Sequence, residues 1–389
     1  MLKNFWLLAL TIPVLFLATA CGQGPTDDDD DDDTERFPIL VEISPTFEQS
    51  DFFYRSTLVA EFDIAPESAS VTLVDASGAP VAGTAATESN GRVFTFDPDS
   101  DLTSSAGYSM VIEWSASAEG DSPFTNAFQT SSHGDSIADS NTMAGLVYAI
   151  DLAGATFVEP PGIGPILQSQ MDGFSILFSP MAESDFAGGE LHVMGAIGDT
   201  DGDAISQDAC APTLPFTNPD GIFGNEDDNA AAWNNPEMVL AADELPLSIQ
   251  GVTATIQDLL ISGTFHPDLS NMRGGVFAGI IDTRPLVGAL GSGEDENEIC
   301  DLVESTVGVS CISCTDDGDD TDEVFCLSLR AEDLAADVVE DLVLEDRPCE
   351  LIISNFVADM EECPEEAASY DADADGLYEL CPAYTPPVP

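Results

Sequence analysis

Basic side chains are almost missing from this sequence. One lysine, Lys3, and seven arginines stand against 73 aspartates and glutamates, and the formal net charge is -65. Nucleic acid is thereby excluded as a natural partner, because binding it relies on cationic neutralisation of phosphates. Adhesion to anionic lipid surfaces is disfavoured for the same reason. Histidine is nearly as scarce: His133, His192 and His266 are the only three, too scattered for a zinc site with four clustered ligands. No apolar run reaches the about 20 residues that a membrane-spanning helix requires; the nearly unbroken run at 5–18 stops short. So large a charge destabilises the compact state unless salt or bound cations screen it. A saline (halophilic) habitat and specific calcium binding both meet that need, and they are not exclusive. Hydrophobic residues still make up 44% of the 389, with 21 Phe, so the chain folds rather than serving as an acidic tail, and its length suits two domains plus a tail.

Lys3, the apolar run and the small residues before Cys21 have the layout of a secretory signal that is removed from the mature chain. The residues Leu17-Ala18-Thr19-Ala20-Cys21-Gly22 resemble the bacterial lipoprotein signal, with Ala18 where that family most often has Leu. The resemblance implies that Cys21 is diacylated and becomes the new N-terminus. It also implies the outer membrane, periplasmic or cell-surface facing, since Gly22 stands where an Asp would hold the protein at the inner membrane. An ordinary signal cut after Ala20 is the alternative. Acyl chains contribute about 0.8 kcal/mol per buried CH2, and two or three suffice for stable anchoring. Residues 21–36, with seven consecutive aspartates at 27–33, are expected to be an extended, solvated tether.

From 37 to 131, short alternating runs recur at 39–43, 57–62, 70–74, 81–85, 93–96, 108–114 and 124–128. In one of them Tyr108, Met110, Ile112 and Trp114 share a face, the period of a half-buried strand. Ser77-Gly78, Asn90-Gly91 and Asp97-Pro98 supply turns. About seven strands in about 95 residues point to a β-sandwich. The stretches Ile43-Ser44-Pro45, Val71-Thr72-Leu73, Val93-Phe94-Thr95-Phe96-Asp97-Pro98 and Gly107-Tyr108-Ser109-Met110-Val111 resemble the SbsA-type bacterial Ig-like domains of surface-layer and other secreted proteins. That family's modules are usually spacers or adhesion modules.

Strand-like runs continue at 146–152, 156–158, 174–178, 191–197, 247–256, 259–265 and 276–282. The segment 331–344 is the best helix candidate, because Leu334, Val338 and Leu342 recur every four residues. The fold class expected is therefore mostly β: an N-terminal Ig-like β-sandwich, then a second β-rich, disulfide-containing domain with a short helix. The expected boundaries are a signal at 1–20, the tether at 21–36, the Ig-like domain at 37–131, the second domain at 132–345 and a Cys-containing acidic tail at 346–389.

Setting Cys21 aside leaves eight of the nine cysteines: Cys210, Cys300, Cys311, Cys314, Cys326, Cys349, Cys363 and Cys381. An even number in an exported chain reads as up to four structural disulfides. Cys311-Ile312-Ser313-Cys314 has redox-pair spacing, but no βαβ pattern surrounds it.

Alternating acids followed by Gly can wrap a loop around calcium. The segment Asp371-Ala372-Asp373-Ala374-Asp375-Gly376 with Glu379 and Cys381 resembles a thrombospondin type 3 calcium repeat, with Glu379 where that repeat usually has Asp. It makes Asp371, Asp373, Asp375 and Glu379 the leading calcium candidates. Asp199, Asp201, Asp203 and Asp208 form a weaker set, the loop at 220–228 a weaker one still, and the acids at 316–322 read as a solvated loop.

No catalytic constellation is legible. Gly134-Asp135-Ser136-Ile137 resembles the nucleophile block of GDSL-type lipases and esterases, whose base comes from an Asp-x-x-His; here Gly189 and Gly263 stand three residues before His192 and His266. The reading is a lipid-anchored, non-enzymatic cell-envelope or surface protein with a structural or adhesive role, possible partners being other envelope components, and calcium stiffening its acidic loops. An envelope-anchored hydrolase that uses the Ig-like domain as a spacer is the alternative.

Overall fold

The computed structural model describes residues 37–88, 90–115, 122–162, 174–201, 204–208, 211, 213–214, 230–249, 252–287, 295–314 and 324–347. Outside them lie the signal, Cys21 and the tether, the loops at 220–228 and 316–322, Asp203, and Cys210, Cys349, Cys363 and Cys381. Asp371, Asp373, Asp375 and Glu379 lie outside them as well. The strands described below belong to one compact unit, Pro38–Pro389.

Seven strands open it: β1 Leu40–Ser44, β2 Leu58–Phe62, β3 Ala69–Asp75, β4 Gly83–Thr87, β5 Val93–Pro98, β6 Gly107–Trp114 and β7 Phe124–Gln129. They pair as two antiparallel sheets, ordered β1-β2-β5-β4 and β3-β6-β7. That is the strand order of a constant-type immunoglobulin sandwich. Alternation makes the core: Leu58, Ala60 and Phe62 of β2 are buried, and so are Tyr108, Met110, Ile112 and Trp114 of β6. Antibody domains join these same two strands by a disulfide. Here the Phe62 and Trp114 rings meet edge-on at 5.3 Å. Asp97 and Pro98 do not turn the chain; they end β5, paired with Thr84 and Gly83.

The second part is one antiparallel sheet. Its strands are β8 Tyr148–Asp151, β9 Thr156–Glu159, β10 Phe174–Pro180, β11 Glu190–Leu191, β12 Val193–Asp201, β13 Ala204–Gln207 and β14 Ala231–Asn234, then β15 Glu237–Ile249, β16 Val252–Phe265, β17 Asn271–Asp282 and β18 Cys326–Val338. The order is β11-β14-β15-β16-β17-β18-β8-β10-β12-β13, with β9 beside β8 along the same edge of β18. Ile176, Leu177 and Phe178 of β10 are all buried because both faces of that strand are covered. Ile176 and Phe178 join the main core, while Leu177 packs with Val147, Ala196 and Leu344. At the centre of the main core Tyr148 and Phe178 stack at 5.1 Å, and Phe265 meets the Tyr148 ring edge-on at 5.1 Å.

Three expectations need correction. The expected run at 247–256 straddles two strands, since β15 ends at Ile249 and β16 begins at Val252. The expected break before Leu259 is a bulge within β16, where Asp258 has φ 50° and the register to β17 shifts. The segment 331–344 is no helix: 331–338 completes β18, with Ala331, Leu334 and Ala336 buried. A four-residue spacing fits period 2 as well as period 3.6, and the bulge at Asp333, φ 57°, disguised the alternation.

The helix is α1, Glu298–Val307. Glu298 and Asp301 lie in its first turn, where the helix dipole favours anions, and Gly308 closes it in the left-handed conformation at φ 76°. Its buried Ile299 and Val303 pack on Leu327 and Leu329 of β18. Disulfides Cys300–Cys311 and Cys314–Cys326 tie it to that strand's start. The two cysteines of the Cys-x-x-Cys segment thus pair outward, not with each other.

Candidate functional site

The side chains with chemical potential gather where the sandwich meets the second sheet. Residues 131–139 leave β7 and cross between them, bonded on both sides. On the sandwich side, Ser131 N donates to Phe52 O at 2.8 Å, and the Ser104 and Ser105 hydroxyls donate to Asp135. Those two hydroxyls, Ser104 first, hold the Asp135 carboxyl below its ordinary range. On the other side, Ile137 N donates to Asn235 Oδ1 at 2.8 Å and Asn235 Nδ2 donates back to Ile137 O at 2.9 Å.

Further contacts bridge the same seam. Arg55 pairs with Asp101 at 2.8 Å within the sandwich and also with Glu237 at the start of β15. Gly274 of β17 has φ 60°, and a Cβ there would lie 2.0 Å from the Phe53 ring, so the close approach of Phe53 requires glycine.

Two histidines sit at the centre, their rings 5.1 Å apart. His133 is buried, and its Nε2 lies 2.7 Å from Asn271 Oδ1. Asn271 Nδ2 donates to Ser270 Oγ at 2.8 Å, which makes its Oδ1 the acceptor and places the His133 proton on Nε2. Nδ1 of His133 is then a bare lone pair, buried without a partner. Burial lowers the pKa of this imidazole and keeps it neutral.

His266 belongs to the five-residue loop between β16 and β17. Leu269 N donates to His266 O at 2.8 Å, and Tyr148 OH donates to Leu269 O at 3.0 Å, anchoring the loop to the aromatic core. Asp268 accepts from Ser270 N at 3.0 Å. Bonding to Ser270, and then to His266, holds the Asp268 carboxyl at about 2, so it is ionised at neutral pH. His266 Nδ1 lies 2.5 Å from Asp268 Oδ1, and Nε2 lies 2.6 Å from Ser132 Oγ. The ionised carboxylate draws the ring proton to Nδ1, and Nε2 accepts from the serine hydroxyl.

Ser136, in the Gly134–Ile137 block whose base is missing from the sequence, is exposed, and Ser132, four positions earlier, is the serine that meets an imidazole. The acid beside this histidine is Asp268, which follows His266 by two rather than preceding it by three. His192 occupies the break between β11 and β12, its backbone bonded to Ser184 and Met181. Asp199 and Asp208 lie on the β12–β13 hairpin, Asp199 exposed and opposite Ser206. Among the described residues no cluster of three potential metal ligands forms around them; the one such cluster is Asp282 with Cys314 and Cys326, whose sulfurs are joined to each other.

No protein-family model matches this sequence, and no curated protein does. Solved structures to which it is similar include CopC from Methylosinus trichosporium OB3b, at 19% identity over 24% of this chain and 93% of that one, with a TM-score of 0.21. The Lin-41 filamin domain aligns at 15% identity over 24% of this chain and 91% of its own, with a TM-score of 0.18. The S-layer protein rSbsC(31-844) aligns at 8% identity over 80% of this chain and 55% of its own, with a TM-score of 0.19. Likenesses at such scores carry no argument about function.

Proposed function

We propose that this protein is a lipid-anchored component of the cell envelope with a structural or adhesive role. The observation that carries the role is the seam. With residues 131–139 bonded to both neighbours and Arg55 bridging to Glu237, no free hinge separates the Ig-like sandwich from the second sheet. A stiff pair of β domains suits a spacer or scaffold better than a clamp that closes on a substrate. The signal expected at 1–20, just before Cys21, supports the placement, with the acids at 27–33 holding the folded part clear of an anionic surface.

Metabolic labelling with an alkyne palmitate tests the anchor. The native chain is expected to take label and fractionate with membranes, and Cys21→Ser to do neither. A native chain without label would overturn the placement.

Calcium at Asp371, Asp373, Asp375 and Glu379 belongs to the same proposal. At about 100 times its Kd, a ligand that binds only the folded state stabilises it by about 2.7 kcal/mol. Thermal melts are therefore expected to shift down in EDTA and recover in calcium beyond the effect of NaCl at equal ionic strength. A melting temperature indifferent to both would remove calcium from the account.

A further inference from the structure

We propose that Ser132, His266 and Asp268 form an acyl-transfer site that hydrolyses carboxylic esters bearing no negative charge. This goes beyond the structural role and does not depend on it. The distances are those of a nucleophile, its base and the group that orients the base: 2.6 Å from Ser132 Oγ to His266 Nε2 and 2.5 Å from Nδ1 to Asp268. Ser132 is half-buried and the His266 side chain is 28% exposed, so a small substrate can reach both.

A second observation points the same way. Ser132 opens a tight turn closed by Asp135 N donating to Ser132 O at 2.8 Å. Among the described residues the two amides inside that turn, His133 N and Gly134 N, meet no acceptor. The amide directly after a nucleophilic serine is a recurrent donor to the oxyanion of acyl transfer. The specificity follows from charge. Asp135 and Asp268 carry negative charge beside the site, which disfavours anionic substrates and leaves neutral and cationic esters.

In the first half-reaction Ser132 Oγ attacks the ester carbonyl carbon while its proton passes to His266 Nε2. Asp268 stabilises the imidazolium, and the oxyanion takes hydrogen bonds from the free turn amides. The carbon–oxygen bond to the alcohol then breaks, and the leaving oxygen takes the proton from Nε2. In the second half-reaction water gives its proton to Nε2 and attacks the acyl-serine, releasing the carboxylic acid and restoring the hydroxyl.

The test is labelling of the full chain with a fluorophosphonate, peptide mapping of the adduct, and p-nitrophenyl acetate hydrolysis followed from the first turnover. The expected result is an adduct on Ser132 and a nitrophenolate burst of about one equivalent. Ser132→Ala should abolish both, lowering turnover by about 10^3-fold or more, and His266→Gln should slow labelling comparably. Ser136→Ala should change neither. An adduct elsewhere, no adduct at all, or labelling that survives His266→Gln on a chain with native melting behaviour would overturn the proposal. Should both variants fail to fold, the mapped position of the native adduct decides alone.

Discussion

Phe265→Ala is expected to remove about 3–5 kcal/mol of stability, the usual cost of emptying a buried aromatic position. Phe265 is fully buried and touches three other rings: Tyr148 at 5.1 Å, Trp233 at 5.9 Å and Phe178 at 6.2 Å between centroids. No single strand can close the hole, because these rings come from β8, β14 and β10. Domain stabilities run at about 5–15 kcal/mol, so this one change consumes a large share. Apart from Trp6 the tryptophans are one in each half, Trp114 in the sandwich and Trp233 beside Phe265. Urea titration followed by fluorescence in a Trp114→Phe background reads the second half directly. The midpoint should fall and the native emission shift to the red as water reaches Trp233. A loss under about 1 kcal/mol would mean that the ring is not central to the core. Because Phe265 precedes His266, the same variant should also loosen the loop that holds the imidazole.

Reduction of the two disulfides is the other large effect. Cys314–Cys326 spans 12 residues and Cys300–Cys311 spans 11. Closing loops of this size constrains the unfolded chain by about 3 kcal/mol each. Cys326 is fully buried at the head of β18, and the α1 core of Val287, Ile299 and Val303 rests on that strand. Melts in a phosphine reductant should therefore drop by several degrees for each bond broken. Paired Cys314→Ser and Cys326→Ser replacements should reproduce part of the drop without reductant. Identical melting with and without reductant would show that these bonds contribute nothing to the fold.

Much of the sandwich could be read from the chain, because β2, β3, β5, β6 and β7 each bury one face and alternation survives there: Tyr108, Met110, Ile112 and Trp114 need no context. The second sheet was legible as β-rich but not in its boundaries. β10 is covered on both sides and shows no alternation, while Asp258 and Asp333 shift the phase within long strands. The four-residue spacing of Leu334, Val338 and Leu342 satisfies two periods at once and so does not mark a helix. α1 announces itself by its acidic first turn and by Gly308, the stronger signals here. The candidate site was not legible. Ser132 and His266 lie 134 positions apart, and only the packing of the seam brings them together. The one local trace was His266-Pro267-Asp268, an orienting acid after the base rather than before it.

Among the described residues the large sheet starts with β11, two residues long, and finishes with β13, four residues long. Unpaired strand edges are where one copy of a β protein can recruit the next into an aggregate. Such stubs offer a newcomer few free amides, and the exposed Glu190 on β11 sets negative charge in its path. Neighbouring copies would thus be kept from zipping into one continuous ribbon.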